Sequence, residues 1–151
     1  MCLRGRPSGR GPLVACVTHI SIDQADIGPQ LSAVAIVLNG LTGTGTEVVV
    51  LGGDLNVDPF DERLSPLYAA PTFFEEADSA GRASRSVRNW LDGADVINEQ
   101  TFGQHKLDYV FLSAPGGAST MAQVADVGLS DHKALWTTLT YGRAASVADR
   151  R

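Results

Sequence analysis

Residues 48–56 read VVVLGGDLN, a continuous apolar run followed by two glycines, an aspartate and an asparagine. A continuous apolar run of this kind predicts a strand that is buried on both faces, as in α/β proteins. Gly52 and Gly53 end the predicted strand, and Asp54 and Asn56 follow at its end. Ligand sites in open α/β sheets gather at strand ends. This stretch therefore predicts both a sheet and the position of a site on it.

Further apolar runs lie on both sides of this stretch. Runs rich in β-branched residues predict strands. Between Leu31 and Leu38 the apolar residues recur every three or four positions, which predicts a helix. The predicted strands are residues 13–20, 107–112, 120–127 and 134–141, and the predicted helices are residues 30–40 and 59–70. Strand, helix, strand and then mainly strands is an order that predicts a mixed α/β domain.

Length, composition and charge limit the class of protein. A chain of 151 residues with 44% hydrophobic and 19% charged residues is typical of one globular domain. A net charge of −5 excludes a global attraction to nucleic acid or to anionic membranes. We expect a disordered lead over residues 1–11, a domain over residues 12–141, a flexible tail over residues 142–151, and a monomer.

The two cysteines and the absence of long apolar segments bear on the compartment. Cys2 and Cys16 are too few for a disulfide framework, so we expect no structural bridge and predict that Cys16 packs as a small apolar residue. No run approaches the ~20 apolar residues that span a bilayer, and no signal peptide is evident. These features predict a cytoplasmic protein without a transmembrane segment, or a secreted one if a start with a signal peptide lies upstream.

Polar residues with catalytic chemistry lie beside the predicted strands. Asp54 and Asn56 point the same way in an extended chain, so both could face one phosphate or metal ion, and aspartate suits a hard cation such as magnesium. The alternative is a β-turn, in which these residue types are common. Asp131-His132 precedes the last strand, where the histidine suits general-base catalysis. The alternative there is a polar cap before a strand.

Two further polar residues lie in or at the end of a predicted strand. Asp108 is a lone carboxylate in an apolar strand, which is costly without a partner. A histidine is a natural partner, and a salt bridge with Lys106 or an exposed strand face is the alternative. His19 ends the first strand and is a candidate phosphate contact. His105 lies in a polar loop and is not predicted to be functional.

In chain order the motifs are Thr18-His19, Gly53-Asp54-Leu55-Asn56, Leu107-Asp108-Tyr109-Val110-Phe111 and Ser130-Asp131-His132. They resemble the endonuclease/exonuclease/phosphatase superfamily, which includes deoxyribonuclease I, neutral sphingomyelinases and inositol polyphosphate phosphatases. The resemblance runs from about Leu13 to Tyr141. It implies an α/β (α+β) fold, a four-layer sandwich of two mainly antiparallel β-sheets flanked by helices. It also implies metal-dependent hydrolysis of phosphate esters, with nucleic acid, phospholipid head group and inositol phosphate left open as substrates.

The resemblance implies a role for each matching residue. His132 would be the general base, oriented by Asp108. Asp54 would align the attacking water and contribute to a Mg²⁺ or Mn²⁺ site together with Asp131. Asn56 would hold a phosphate oxygen. His19 would contact the scissile phosphate and help the leaving group.

The chain departs from the family pattern upstream of Thr18. The family places an Asn and a metal-binding Glu there, whereas residues 1–17 contain no Asn, Asp or Glu. The resemblance therefore implies the C-terminal portion of a family domain with its N-terminal part missing, either as a fragment or through a mis-assigned start. The alternative function is a truncated, catalytically inactive remnant or a binding module.

Overall fold

The computed structural model describes residues 1–8, 10–42, 47–59, 61–69, 74–77, 100–113 and 119–141. Within them the chain forms seven strands in two sheets and two α-helices. The strands are β1 (Cys2–Gly5), β2 (Leu13–His19), β3 (Val48–Asp54), β4 (Phe74–Glu76), β5 (Asp108–Ser113), β6 (Ser119–Ala125) and β7 (Ala134–Thr140). The helices are α1 (Gln24–Thr42) and α2 (Ser65–Tyr68), with a 3₁₀ turn over Glu62–Leu64 before α2. This is the mixed α/β class that the order of the apolar runs predicts.

Five strands form one mixed sheet in the order β1-β2-β3-β5-β4, and β6 and β7 form a separate antiparallel pair. Strands β2 and β3 run parallel, because α1 carries the chain back between them. The other neighbouring strands of the sheet are antiparallel. The central position of β3 agrees with the continuous apolar run from which this strand was predicted.

Helix α1 packs on one face of the five-stranded sheet. Its buried side chains repeat every three or four residues and form one stripe; they are Ile27, Leu31, Ala35 and Leu38. Alternate residues of the strands complete the same hydrophobic cluster, namely Val14 and Cys16, Val49 and Leu51, and Tyr109 and Phe111. Because successive strand residues point to opposite faces, the residues between these core positions face away from α1.

Helix α1 is longer than its apolar spacing predicts, since it begins at Gln24 and not at residue 30. Asp23 caps it, because its Oδ1 accepts a hydrogen bond of 2.9 Å from the backbone N–H of Ala25. Pro29 removes one backbone donor from the helix. The helix nevertheless continues through Pro29, which lies near its N-terminus.

The N-terminal residues correct two predictions. The expected disordered lead over residues 1–11 is wrong for Cys2–Gly5, which form β1 and pair antiparallel with β2. This register places Cys2 opposite Cys16, and the two are joined by a disulfide with their Cα atoms 4.0 Å apart. The expectation of no structural bridge is therefore wrong, because strand pairing brings together two cysteines that are distant in the chain. Cys16 is buried in the core as predicted.

The remaining elements agree closely with the apolar pattern. Strands β5, β6 and β7 begin within one residue of their predicted starts. The short helix predicted over residues 59–70 corresponds to the 3₁₀ turn and α2. The predicted tail over residues 142–151 lies outside the described residues. No helix in the described ranges is long and apolar enough to cross a bilayer.

Candidate active site

Three polar side chains lie side by side at one end of the five-stranded sheet. In the strand register, His19 of β2 is opposite Asp54 of β3, and Asp54 is opposite Asp108 of β5. Neighbouring strands lie about 4.8 Å apart, so backbone pairing alone brings these three residues together. Asp108 precedes the buried Tyr109 by one residue, and its side chain therefore points to the sheet face opposite α1.

Gly53 allows β2 and β3 to approach closely at this end. Its φ is +151°, and a Cβ atom at this position would lie 1.9 Å from the carbonyl oxygen of Thr18. Any side chain at residue 53 would therefore push β2 away from β3. The neighbouring Gly52 is not restricted in this way, since a Cβ there would lie 4.0 Å from its nearest neighbour, the Tyr109 carbonyl oxygen. Gly53 thus sets the distance between the two strands that carry His19 and Asp54.

His132 joins these residues from the loop before β7. Its Nδ1 is 2.8 Å from Oδ2 of Asp108, and its Nε2 is 3.9 Å from Oδ2 of Asp54. A carboxylate at Nδ1 holds the ring proton on that nitrogen and leaves the lone pair on Nε2. The structure therefore brings His132 and Asp108 into the hydrogen-bonded pair that the family resemblance implies.

The charges at this position are unfavourable without the imidazole. Asp54 and Asp108 are like charges directly opposite each other on neighbouring strands, which is destabilising. The hydrogen bond to Asp108 raises the pKa of His132 above its ordinary value, and partial burial opposes that rise. The negative charges of Asp108, Asp54 and Asp131 add to the increase. A costly carboxylate pair beside a titrating imidazole is more typical of a functional site than of a structural one.

Asn56 lies in the turn after β3 and has a left-handed backbone with φ +51°, which asparagine tolerates better than most residues. Its backbone N–H donates to Oδ1 of Asp54 at 2.9 Å, and its side-chain Nδ2 donates to the carbonyl oxygen of Ile20 at 2.8 Å. These contacts agree with the turn alternative and join the ends of β2 and β3. A phosphate contact by Asn56 stays a prediction.

His19 contacts Asp54, and Asp131 directly precedes His132 in the loop before β7. Nε2 of His19 is 3.5 Å from Oδ2 of Asp54, and 72% of the His19 side chain is exposed, so a ligand can reach it. Asp131 is exposed, and its Oδ1 accepts a hydrogen bond of 3.3 Å from the Ser130 hydroxyl. That hydroxyl accepts the backbone N–H of His132 at 3.1 Å. The roles of His19 and Asp131 stay predictions.

Asp54, Asp108 and His132 could hold a metal ion, because one ligand atom from each lies within 4.8 Å of the others. Carboxylate oxygens suit hard cations such as Mg²⁺ and Mn²⁺, whereas imidazole suits softer metals. The donor chemistry therefore fits a hard cation held through carboxylates. Among the described residues, Asp131 does not belong to this convergent group.

Sequence patterns did not identify Thr101 and Phe102, which both contact the site. The Thr101 hydroxyl accepts the backbone N–H of Asp108 at 3.0 Å. The Phe102 ring lies against the imidazole of His132, with the ring centroids 4.8 Å apart. The local sequence signal for Thr101 and Phe102 is weak. They are a β-branched and an aromatic residue before Gly103 in a polar stretch, and an ordinary turn has the same pattern.

Comparison with known proteins gives no match to a protein-family model and no match to a curated protein. Solved structures do match. Truncated Caenorhabditis elegans TDP2 has a TM-score of 0.64 at 20% identity, covering 93% of this chain and 58% of that one. The human Nocturnin catalytic domain with bound sulfate anion has a TM-score of 0.59 at 21% identity, covering 92% and 51%. D. rerio TDP2 complexed with single strand DNA product has a TM-score of 0.60 at 12% identity, covering 93% and 60%.

These matches define a fold class, the mixed α/β fold of those parts of TDP2 and Nocturnin that the chain covers. In its fold the chain is similar to these proteins, and the resemblance drawn from its motifs is confirmed in that respect. The chain spans about half the length of these three solved structures, from 51% to 60% of each.

Proposed function

We propose that this chain is a metal-dependent hydrolase of phosphate esters, or the part of one that carries the general base. The observation that carries the proposal is the 2.8 Å hydrogen bond between His132 Nδ1 and Asp108 Oδ2, beside the carboxylate of Asp54. A base, a carboxylate that orients it and a second carboxylate are the groups needed to direct water at a phosphate. The superfamily fold supports the same chemistry.

In this proposal His132 activates the water. Nε2 takes the proton as the oxygen attacks phosphorus, while Asp108 keeps the other ring proton on Nδ1 and stabilises the imidazolium that forms. The raised pKa makes His132 a stronger base once it is neutral. Its side chain is 29% exposed, which leaves the ring open to water.

Asp54 occupies the centre of the proposed site. Its Oδ2 lies 3.5 Å from Nε2 of His19 and 3.9 Å from Nε2 of His132. From this position Asp54 would align the attacking water. His19 would contact the scissile phosphate and help the leaving group, and Asn56 would hold a phosphate oxygen.

Mg²⁺ or Mn²⁺ is the proposed cofactor. The carboxylate of Asp54 would hold the ion, with Asp131 as a second ligand. When bound, the ion neutralises charge on the phosphate oxygens. Mg²⁺ keeps several of its waters when it binds to proteins and is usually held by one or two carboxylates together with substrate phosphate oxygens.

The proposed ligand is a phosphate ester, and its wider class stays open between nucleic acid, phospholipid head group and inositol phosphate. The sulfate in human Nocturnin and the single strand DNA product in D. rerio TDP2 support an anionic ligand at the corresponding fold. The net charge of −5 disfavours non-specific nucleic-acid binding, because that affinity comes mainly from phosphate neutralisation. For the complete domain we propose the four-layer sandwich, with the β6–β7 pair as part of its second sheet.

A second candidate is a catalytically inactive remnant or binding module. The described residues favour it in one respect: of the two carboxylates in the group formed by Asp54, Asp108 and His132, that of Asp108 already binds the imidazole. A hard cation needs its carboxylates, so this candidate would bind Mg²⁺ weakly.

The test is hydrolysis of bis(p-nitrophenyl) phosphate and p-nitrophenyl phosphate by the 151-residue chain, with Mg²⁺, Mn²⁺ or EDTA. The variant is His132→Ala, which should lower the rate by about 10²- to 10⁴-fold through loss of the base. The matched control is His105→Ala, since His105 is an exposed histidine that also contacts an aspartate, Asp58, at 3.1 Å.

Metal-dependent turnover that is lost in His132→Ala and kept in His105→Ala would support the proposal. An unchanged rate in His132→Ala would show that another group is the base. Absence of turnover from a folded wild-type sample would favour the remnant or binding module.

A further inference from the structure

Thr101 is a fully buried polar residue at the point where β5 begins. Its side-chain Oγ1 accepts two backbone hydrogen bonds of 3.0 Å, one from Leu107 and one from Asp108. Strand β5 starts at Asp108. The hydroxyl therefore holds the main chain of the residue whose carboxylate binds His132.

The backbone of Thr101 holds the other partner of the pair. Its carbonyl oxygen accepts a hydrogen bond of 2.7 Å from the backbone N–H of Lys133, the residue after His132. His132 and Asp108 are 24 residues apart and belong to different segments. A single buried residue thus connects the two segments that bring the imidazole and the carboxylate together.

Phe102 contacts the imidazole itself. It forms an isolated β-bridge with His132, and the two rings lie 4.8 Å apart at an angle of 39°. The turn that presents Phe102 is closed by reciprocal hydrogen bonds between its backbone and that of His105, at 2.7 and 3.0 Å. The ring therefore covers one side of the imidazole from a fixed turn.

We propose that Thr101 and Phe102 are positioning residues for the His132–Asp108 pair. Thr101 fixes the two backbones, and Phe102 fixes the plane of the imidazole. A misplacement of about 1 Å is enough to cost roughly 10²-fold in rate, so such residues matter without touching the substrate. The effect on rate rests on the proposed function, whereas the effect on the pair is present without any substrate.

The experiment compares Thr101→Val with Thr101→Ser. Valine keeps the shape of threonine and removes the hydroxyl, whereas serine keeps the hydroxyl and removes a methyl group. The first readout is the Nδ1–H proton resonance of His132 in histidine labelled with ¹⁵N, assigned by its loss in His132→Ala. The second is amide hydrogen exchange at Leu107 and Asp108, and the third is the rate of diester hydrolysis.

We expect Thr101→Val to accelerate exchange at both amides, to lose the Nδ1–H resonance and to lower the rate by about 10- to 100-fold. Thr101→Ser should retain the resonance and most of the rate. The proposal is overturned if Thr101→Val keeps the resonance, or if Thr101→Ser loses it as fully as valine does.

If Thr101→Val does not fold, Phe102→Ala decides the matter, because Phe102 is 36% exposed and its truncation leaves the Thr101 hydrogen bonds in place. Loss of the resonance in folded Phe102→Ala supports the inference, and a sharp, unshifted resonance contradicts it. If no form of the chain hydrolyses the diester, the proposed function fails, while the resonance and exchange data still decide the positioning role.

Discussion

The two halves of the candidate site are held by different means. Asp54 and Asp108 are placed by the backbone register of β3 and β5, inside the five-stranded sheet. His132 comes from an exposed loop and reaches them through side-chain hydrogen bonds and the turn that carries Thr101 and Phe102. The positions of Asp54 and Asp108 therefore depend on the sheet backbone, whichever side chains they carry, whereas the position of His132 depends on contacts that can be altered while the sheet persists.

The largest expected effect is in the sheet half of the site, the part that β3 and β5 place. Gly53→Ala should lower the free energy of unfolding by about 3 kcal/mol or more, because the new methyl group would collide with the Thr18 carbonyl. Gly52→Ala is the matched control and should cost about 1 kcal/mol at most. Urea denaturation followed by circular dichroism measures both. Equal midpoints for the two variants would show that β2 yields easily and that the sheet half is not rigid.

An intermediate effect is expected where the two halves meet. Asp108→Asn keeps the shape of the side chain and removes its charge, so the folded state should persist while the rate of phosphodiester hydrolysis falls about 100-fold. Asp58→Asn is the control, since Asp58 makes the exposed contact with His105. Steady-state kinetics on both variants distinguish loss of His132 orientation from a general effect of removing a negative charge. A similar loss in both would mean that general charge, and not the orientation of His132, sets the rate.

The smallest effect is expected in the loop half, as a pH dependence. Because Asp108 raises the pKa of His132, the acid limb of the rate profile should have its midpoint above the ordinary imidazole value of 6.5. The protonated pair stabilises the fold below the unfolded-state pKa, and this contribution is lost as pH rises through the higher folded-state pKa. As pH rises through the folded-state pKa of His132, the rate of hydrolysis should therefore rise while the free energy of unfolding falls.

Rate profiles and urea midpoints between pH 5 and 9, measured at constant Mg²⁺, test this opposition. In Asp108→Asn the acid limb should move toward 6.5 and the stability change should shrink. An acid limb at the same pH in both proteins would assign it to a group other than His132.

Local patterns in the sequence were enough for the sheet half. The apolar run before Gly52 predicted β3. Asp54, Asp108 and His19 were predicted as site residues because they lie in or at the end of apolar runs, and buried strands leave a signal within a few residues. The turn alternative for Asn56 came from residue type alone and agrees with its left-handed backbone.

Contacts between distant segments were not predictable in the same way. The Cys2–Cys16 disulfide depends on the pairing of β1 with β2, and an arginine- and glycine-rich start gave no strand pattern. Thr101 acts through backbone groups of residues 107, 108 and 133, which have no side-chain signature.

The cytoplasmic location stays a prediction.

The row formed by His19, Asp54 and Asp108 has a consequence for divergence. Main-chain hydrogen bonds set the spacing of these three positions, so the spacing does not depend on which side chains occupy them. Substitution of His19 or Asp108, the two ends of the row, could therefore change the preferred ligand during evolution while the sheet stays folded. Gly53 would have to persist, because a side chain there would push β2 away from β3.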